Sequence, residues 1–115
     1  MIDNLFEETF KKLEEEGLSF SSISYISMDG YRMDVDTFVE LARRTNYDSG
    51  YGEQEINSSL CIWGLYWVMY RCEYDGSEWW EIRKLPRDTG LHIPKHLYEL
   101  SSFRAFRAEK EGEQP

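Results

Sequence analysis

Two β-prone runs with a tight turn between them constrain this chain more than any other feature. Tyr66 to Glu73 and Glu78 to Leu85 flank Tyr74-Asp75-Gly76-Ser77, and Asp-Gly between such runs is a strong hairpin signal. All four tryptophans fall between Trp63 and Trp80, so this hairpin carries the densest apolar surface. Register decides which side chains share a face, because a one-residue slip turns every one of them over. A two-residue Asp75-Gly76 loop sets Glu73 opposite Glu78 and Tyr70 beside Glu81, an unfavourable pairing of like charges. A three-residue loop Tyr74-Asp75-Gly76, with Gly76 left-handed, avoids it. That choice predicts a core face of Val68, Tyr70, Cys72, Trp80 and Ile82. It leaves Trp67, Met69, Arg71, Glu73, Trp79, Glu81 and Arg83 on the other face.

Before the hairpin, Ile2, Leu5, Phe6, Phe10 and Leu13 recur at helical spacing and predict an amphipathic helix over 4–16. Asn4 with Glu7 fits a capping box and Gly17 a C-terminal stop. Glu7–Lys11 and Glu8–Lys12 are favourable pairs one turn apart. Glu14-Glu15-Glu16 puts negative charge at the negative end of the helix, at a cost of ~0.3–1 kcal/mol per charge. A second hairpin is expected at Ile23–Met28, Asp29-Gly30 and Tyr31–Met33. Asp36 is read as the cap of a short helix from Thr37 to about Thr45, with Phe38, Leu41 and Ala42 inward. Residues 46–57 form a loop, and Leu60–Trp63 a short strand ended by Gly64. Pro94 suits the first turn of a third helix running to about Ser101. The expected class is α+β: an antiparallel sheet with an N-terminal, a short second and a C-terminal helix, in one domain over 1–107. Residues 108–115 read as a disordered tail.

Charge narrows the partners. The chain of 115 residues holds 13 Lys and Arg against 22 Asp and Glu, a net −9. Residues 1–82 hold 6 basic and 17 acidic residues, or −11, while 83–110 hold 7 and 3, or +4. A field of that sign repels nucleic acid and steers cationic partners. Phe103 and Phe106 interleave with Arg104 and Arg107, a pattern compatible with nucleic acid, yet the acidic body opposes it. Pairing within the chain or with another copy accounts better for the basic segment. The absence of a long apolar run and of a signal-like start, with two cysteines read as reduced and buried, leads to the expectation of a cytoplasmic protein.

Chemistry-bearing motifs are sparse. His92 and His96 have metal-like spacing, but Pro94 lies between them and neither Cys is near, so no metal or other cofactor is expected. The Asp48-Ser-Gly50-Tyr-Gly52-Glu53 loop lacks the order of a calcium loop and the Lys-Ser/Thr of a phosphate loop. Its alternatives are a turn tucking Tyr47 or Tyr51 against the sheet and a partner-contact loop. Cys61 and Cys72 sit in apolar strand patterns with no base placed beside them, and no serine lies in a nucleophile elbow. The expected protein is not an enzyme. Trp67, Met69 and Trp79 beside Arg71, Glu81 and Arg83 have interface composition, unless a helix covers that face and makes both tryptophans core.

Three stretches carry a resemblance: Asp36-Thr-Phe-Val-Glu-Leu-Ala, Asn46-Tyr-Asp-Ser-Gly-Tyr-Gly-Glu-Gln-Glu-Ile, and Glu73-Tyr-Asp-Gly-Ser-Glu-Trp-Trp-Glu. Over roughly residues 36–85 the chain resembles small, acidic, uncharacterised proteins of bacteriophages and prophages. By size, charge and origin the resemblance implies anti-CRISPR or other anti-defence proteins, some of which act as nucleic-acid mimics. The expectation is therefore a non-enzymatic inhibitor that fills an Arg/Lys-lined groove of a bacterial nucleic-acid-binding or defence protein. Its candidate contacts are Glu14, Glu15, Glu16, Asp48, Glu53 and Glu55, with Tyr51, Trp67 and Trp79 as anchors. A self-assembling accessory protein, joining the acidic body of one copy to the basic segment of another, is the alternative.

Overall fold

Helix and strand periods in this sequence resolve into one layer of helices on one antiparallel sheet. A computed structural model describes residues 2–50, 52–88, 90–97 and 100. In chain order the elements are β1 (Asp3–Asn4), α1 (Leu5–Glu15), β2 (Ile23–Met28), β3 (Tyr31–Met33) and α2 (Val35–Arg43). Then follow β4 (Asn46–Tyr47), β5 (Cys61–Gly64), β6 (Trp67–Tyr74) and β7 (Ser77–Lys84). Short 3-10 turns occupy Phe20–Ser22 and Lys95–Leu97. The sheet order is β3-β2-β5-β6-β7, every neighbour antiparallel, and β1 pairs separately with β4. The third helix expected from Pro94 shows only the turn Lys95–Leu97, Leu100 is a bend, and residues 98, 99 and 101, with the 108–115 tail, lie outside the described residues.

Local sequence explains the helices. The Asn4 side chain accepts the Glu7 N–H at 3.1 Å, and Gly17 takes φ +72° just past the end of α1, as a capped helix stopped by glycine requires. The buried stripe of α1 is Leu5, Thr9 and Leu13; Ile2 and Phe10 are exposed instead. Phe6, Phe10 and Phe20 stack beside it, with Phe6 and Phe20 5.2 Å apart. The cap of α2 is Asp34 rather than Asp36, since the Asp34 side chain accepts the Thr37 N–H at 3.1 Å. Starting the helix earlier places Asp36 in the first turn, where the dipole favours it. It also moves the inward stripe to Val35, Phe38, Val39 and Ala42, and Leu41 turns outward.

The hairpin register differs from the expected one. Tyr74 pairs with Ser77, Glu73 with Glu78, Cys72 with Trp79 and Arg71 with Trp80, so Asp75-Gly76 is a two-residue loop. Both residues have positive φ, +50° and +85°, as do Asp29 and Gly30 at the other hairpin, the geometry whose twist matches the flanking strands. The helix-covered face of β6 therefore carries Trp67, Met69 and Arg71, while Val68, Tyr70 and Cys72 face the other way. Trp80 and Ile82 stay on the covered side as expected. Met33, Ile26, Ile62, Met69 and Ile82 form one row across all five strands. Ile26, Ile62 and Met69 have no exposed surface, and each such burial contributes roughly 1.5–3 kcal/mol. Gly64 completes this core: a Cβ there would fall within the indole of Trp67, so only glycine lets the ring lie against β5.

Candidate protein-binding surface

Polar groups inside the helix–sheet interface explain the register and build the neighbouring surface. Arg71 is buried with its side chain fully enclosed. Its guanidinium donates to Glu8 of α1 at 2.8 Å and to Glu78 of β7 at 2.7 Å, and lies over the ring of Trp80, 4.8 Å from the centroid. Trp80 Nε1 donates to Thr9 Oγ1 at 3.0 Å, and that hydroxyl donates to the Leu5 carbonyl. Two carboxylates thus share one guanidinium, leaving an excess negative charge. Burial pushes the Glu8 carboxyl above the usual glutamate range despite the opposing pull of Arg71, since desolvation disfavours the charged form. Glu8 Oε2 and Arg71 Nε have no hydrogen-bond partner.

Glu78 ties this interior to the acidic loop. Its carboxylate accepts the backbone N–H groups of Glu55 at 2.6 Å and Ile56 at 3.3 Å, and its own N–H donates to the Ser49 carbonyl at 3.0 Å. The loop is fastened at both ends. At its start, Tyr47 is buried and Ser49 hydrogen-bonds Asp3. Within it, the Asp48 N–H donates to Glu55 Oε2 at 2.7 Å and Asp48 Oδ1 accepts the Gly50 N–H at 2.9 Å. At its end, Asn57 and Ser59 both donate to Asp29 at 2.9 Å. Of the two loop alternatives, the tucked-in turn holds for Tyr47; Tyr51 lies outside the described residues.

The candidate contact residues do not converge on one spot. Glu14 and Glu15 are exposed at the C-terminal end of α1, whereas Asp48 follows β4, which pairs with β1 at the other end. The two groups lie at opposite ends of an eleven-residue helix, about 16 Å long at 1.5 Å per residue. Glu16 is half-buried and lies within 3.5 Å of Lys12 Nζ and 3.6 Å of Lys84 Nζ, which offsets the unfavourable helix end. Lys12 therefore meets Glu16, and Glu8 reaches Arg71 instead of Lys12. Glu53 is exposed, and Glu55 is exposed while holding the Asp48 N–H. Trp67 is a core residue at 7% exposure and drops out as an anchor; Trp79 is 36% exposed on the opposite face.

Between α2, the β2–β3 hairpin and the end of the loop lies an apolar cavity of about 290 Å³. Phe38, Ala42, Ile56 and Leu60 line it deeply, and Glu55 and Asn57 are among the residues at its opening. No signal in the sequence pointed to it, because its walls come from segments joined only by tertiary packing. The other face of the sheet is uncovered by any helix among the described residues. There Tyr25 stacks on Trp63 at 5.8 Å, Arg32 sits 4.0 Å above Tyr25, and Trp63 Nε1 donates to Ser27 at 2.8 Å. Cys61 and Cys72 lie on this face, and burial raises both thiols, with Glu81 adding to the effect at Cys72; a raised thiol is a poor nucleophile. Among the described residues no group of three or more His, Cys, Asp or Glu could hold a metal ion, and no helix is long and apolar enough to cross a membrane. Comparison with family models, curated proteins and solved structures finds no match to this chain.

Proposed function

We propose that this protein is a non-enzymatic inhibitor of the phage anti-defence kind. In this reading it seats an acidic surface on a cationic groove of a bacterial nucleic-acid-binding or defence protein in the cytoplasm, competing with phosphates. One observation carries the reading: acids far outnumber cations in the body of the molecule, and most of those cations are already engaged by carboxylates or aromatic rings. Of the six Lys and Arg before residue 83, Arg71, Lys12 and Arg44 are held in ion pairs, and Arg32 and Arg43 lie over aromatic rings. Exposed Glu14, Glu15, Asp36, Glu53 and Glu73 have no ion-pair partner among the described residues. A net field of one sign over such a surface raises encounter rates with oppositely charged grooves and weakens with salt.

Capture of partners from bacterial lysate tests this, using tagged full-length chain at low and then moderate salt. Recovery of one basic protein or complex that is released as salt rises is the expected result. Charge reversal at Glu14, Glu15 and Glu53 should lower both the affinity and its salt dependence; unchanged values for both would end the mimic reading. The alternative, assembly of copies, draws on the approach of Lys84 to Glu16, a contact between the basic segment and the acidic body that a second copy could also make. A salt-sensitive oligomer with no captured partner would select it.

A further inference from the structure

We propose that the apolar cavity beside the acidic loop receives one aromatic or branched aliphatic side chain that the partner carries next to a lysine or arginine. This rests on the acidic-binder reading and specifies its anchor. Volume sets the first limit. An apolar cavity of ~150 Å³ can hold benzene, so about 290 Å³ is room for one such side chain together with its neck. The lining sets the second. Met28 and Met33 stand half-buried at the mouth, and methionine adapts its shape to an incoming apolar group. Leu41 stands beside them at 45% exposure, outside the buried stripe of its helix.

Charge sets the third. Among the described residues that line the cavity Glu55 is the single charged one, and it is exposed. Its position is built: its N–H is held by Glu78 and its Oε2 by the Asp48 N–H, so the carboxylate is fixed beside the opening. A cation next to the inserted group meets that carboxylate, whereas an anion there is repelled. An inserted apolar side chain ringed by polar contacts is the usual arrangement of an interface hot spot.

The test is a titration of the full chain, carrying ¹³C-methyl methionine, with 2-phenylethylammonium and, separately, with phenylacetate. Met28 and Met33 report the cavity, and Met69, fully buried in the sheet core, serves as the internal control. Expected are saturable shifts at Met28 and Met33 but not Met69, with the cation bound about two- to five-fold tighter, the range of an exposed charge pair. Glu55→Gln should erase that preference while keeping the aromatic probe bound. Leu41→Lys changes an exposed helix position, keeps the fold, and should weaken the cationic probe. Shifts that do not saturate, shifts spread equally to Met69, or equal affinity for cation and anion would each overturn the inference. A partner captured equally by Leu41→Lys and the unmodified chain, yet lost on reversal at Glu14, Glu15 and Glu53, would sink the cavity alone. Capture insensitive to that reversal would sink the acidic-binder reading, with the methyl titration still deciding the cavity on its own.

Discussion

On the helix side of the sheet Arg71 is fully enclosed between Glu8 and Glu78, whereas on the other side Tyr25 and Trp63 stack with Arg32 above them and remain partly in water. The covered face buries a charge and satisfies it with one carboxylate from the helix layer and one from the neighbouring strand. The open face keeps large apolar rings and satisfies their polar ends with near neighbours on the same sheet, as when Trp79 Nε1 donates to Glu81 at 2.8 Å. A buried ion pair adds little net stability relative to apolar packing, but removing one partner is costly. The covered face should therefore be brittle and the open face tolerant. The contrast teaches where mutation will read out as unfolding and where it can read out as altered binding.

The largest expected effect is at Glu78. Replacing it by alanine takes from a buried guanidinium its one fully buried carboxylate partner, leaving it Glu8, and unpairs two loop N–H groups, and should cost about 3–5 kcal/mol in denaturant unfolding. Filling both Glu78 and Arg71 with apolar residues should recover only part of that, because the Glu55 and Ile56 N–H groups stay unpaired at roughly 1–3 kcal/mol each. Full recovery would show that the carboxylate matters only as an ion-pair partner. Next comes Gly64→Ala, which forces Trp67 off β5 and should cost about 1–3 kcal/mol, the scale of an overpacked core. On the open face, Tyr74→Gln, at a side chain 76% exposed, should shift stability by no more than ~0.5 kcal/mol; a loss as large as that at Gly64 would erase the contrast between the faces.

The smallest effect is one of slope. Burial raises the Glu8 carboxyl in the folded chain, so the folded state binds its proton more readily than the unfolded one. The stability this contributes is complete below the ordinary glutamate range and is lost as pH rises through the raised value. Glu8→Gln lacks that term. Its stability relative to the unmodified protein should therefore rise with pH just above the glutamate range, in unfolding curves taken at a series of pH values. A flat difference would place Glu8 in water rather than in the interface.

Much of the architecture was legible because it rests on local rules. Asn4 and Gly17 bound α1, Asp29-Gly30 turns β2 into β3, and the Tyr66–Leu85 hairpin exists where its turn signal places it. Its register was not legible. The repulsion between Glu73 and Glu78 argued against the two-residue loop, yet Glu78 is reconciled to its position by Arg71 on the neighbouring strand and by N–H groups 22 and 23 residues upstream. The same limit applied to the surface. Trp67 looked like an anchor until the helices covered it, and the cavity is walled by three segments that no spacing relates. Exposed acids such as Glu14 and Glu53 were legible, since solvation needs no tertiary partner.

The fastening of the acidic loop to Glu78 also bears on how the molecule behaves at high concentration. β7 is an edge strand of eight residues, and an edge with unpaired backbone groups is a template for other chains. The loop occupies the start of that edge through the bond from the Glu78 N–H to Ser49, shortening what is open to strand addition. A chain whose loop has come loose presents Trp79-Trp80-Glu81-Ile82 along a longer free edge. In such a variant, turbidity should appear at temperatures where the native fold still dominates.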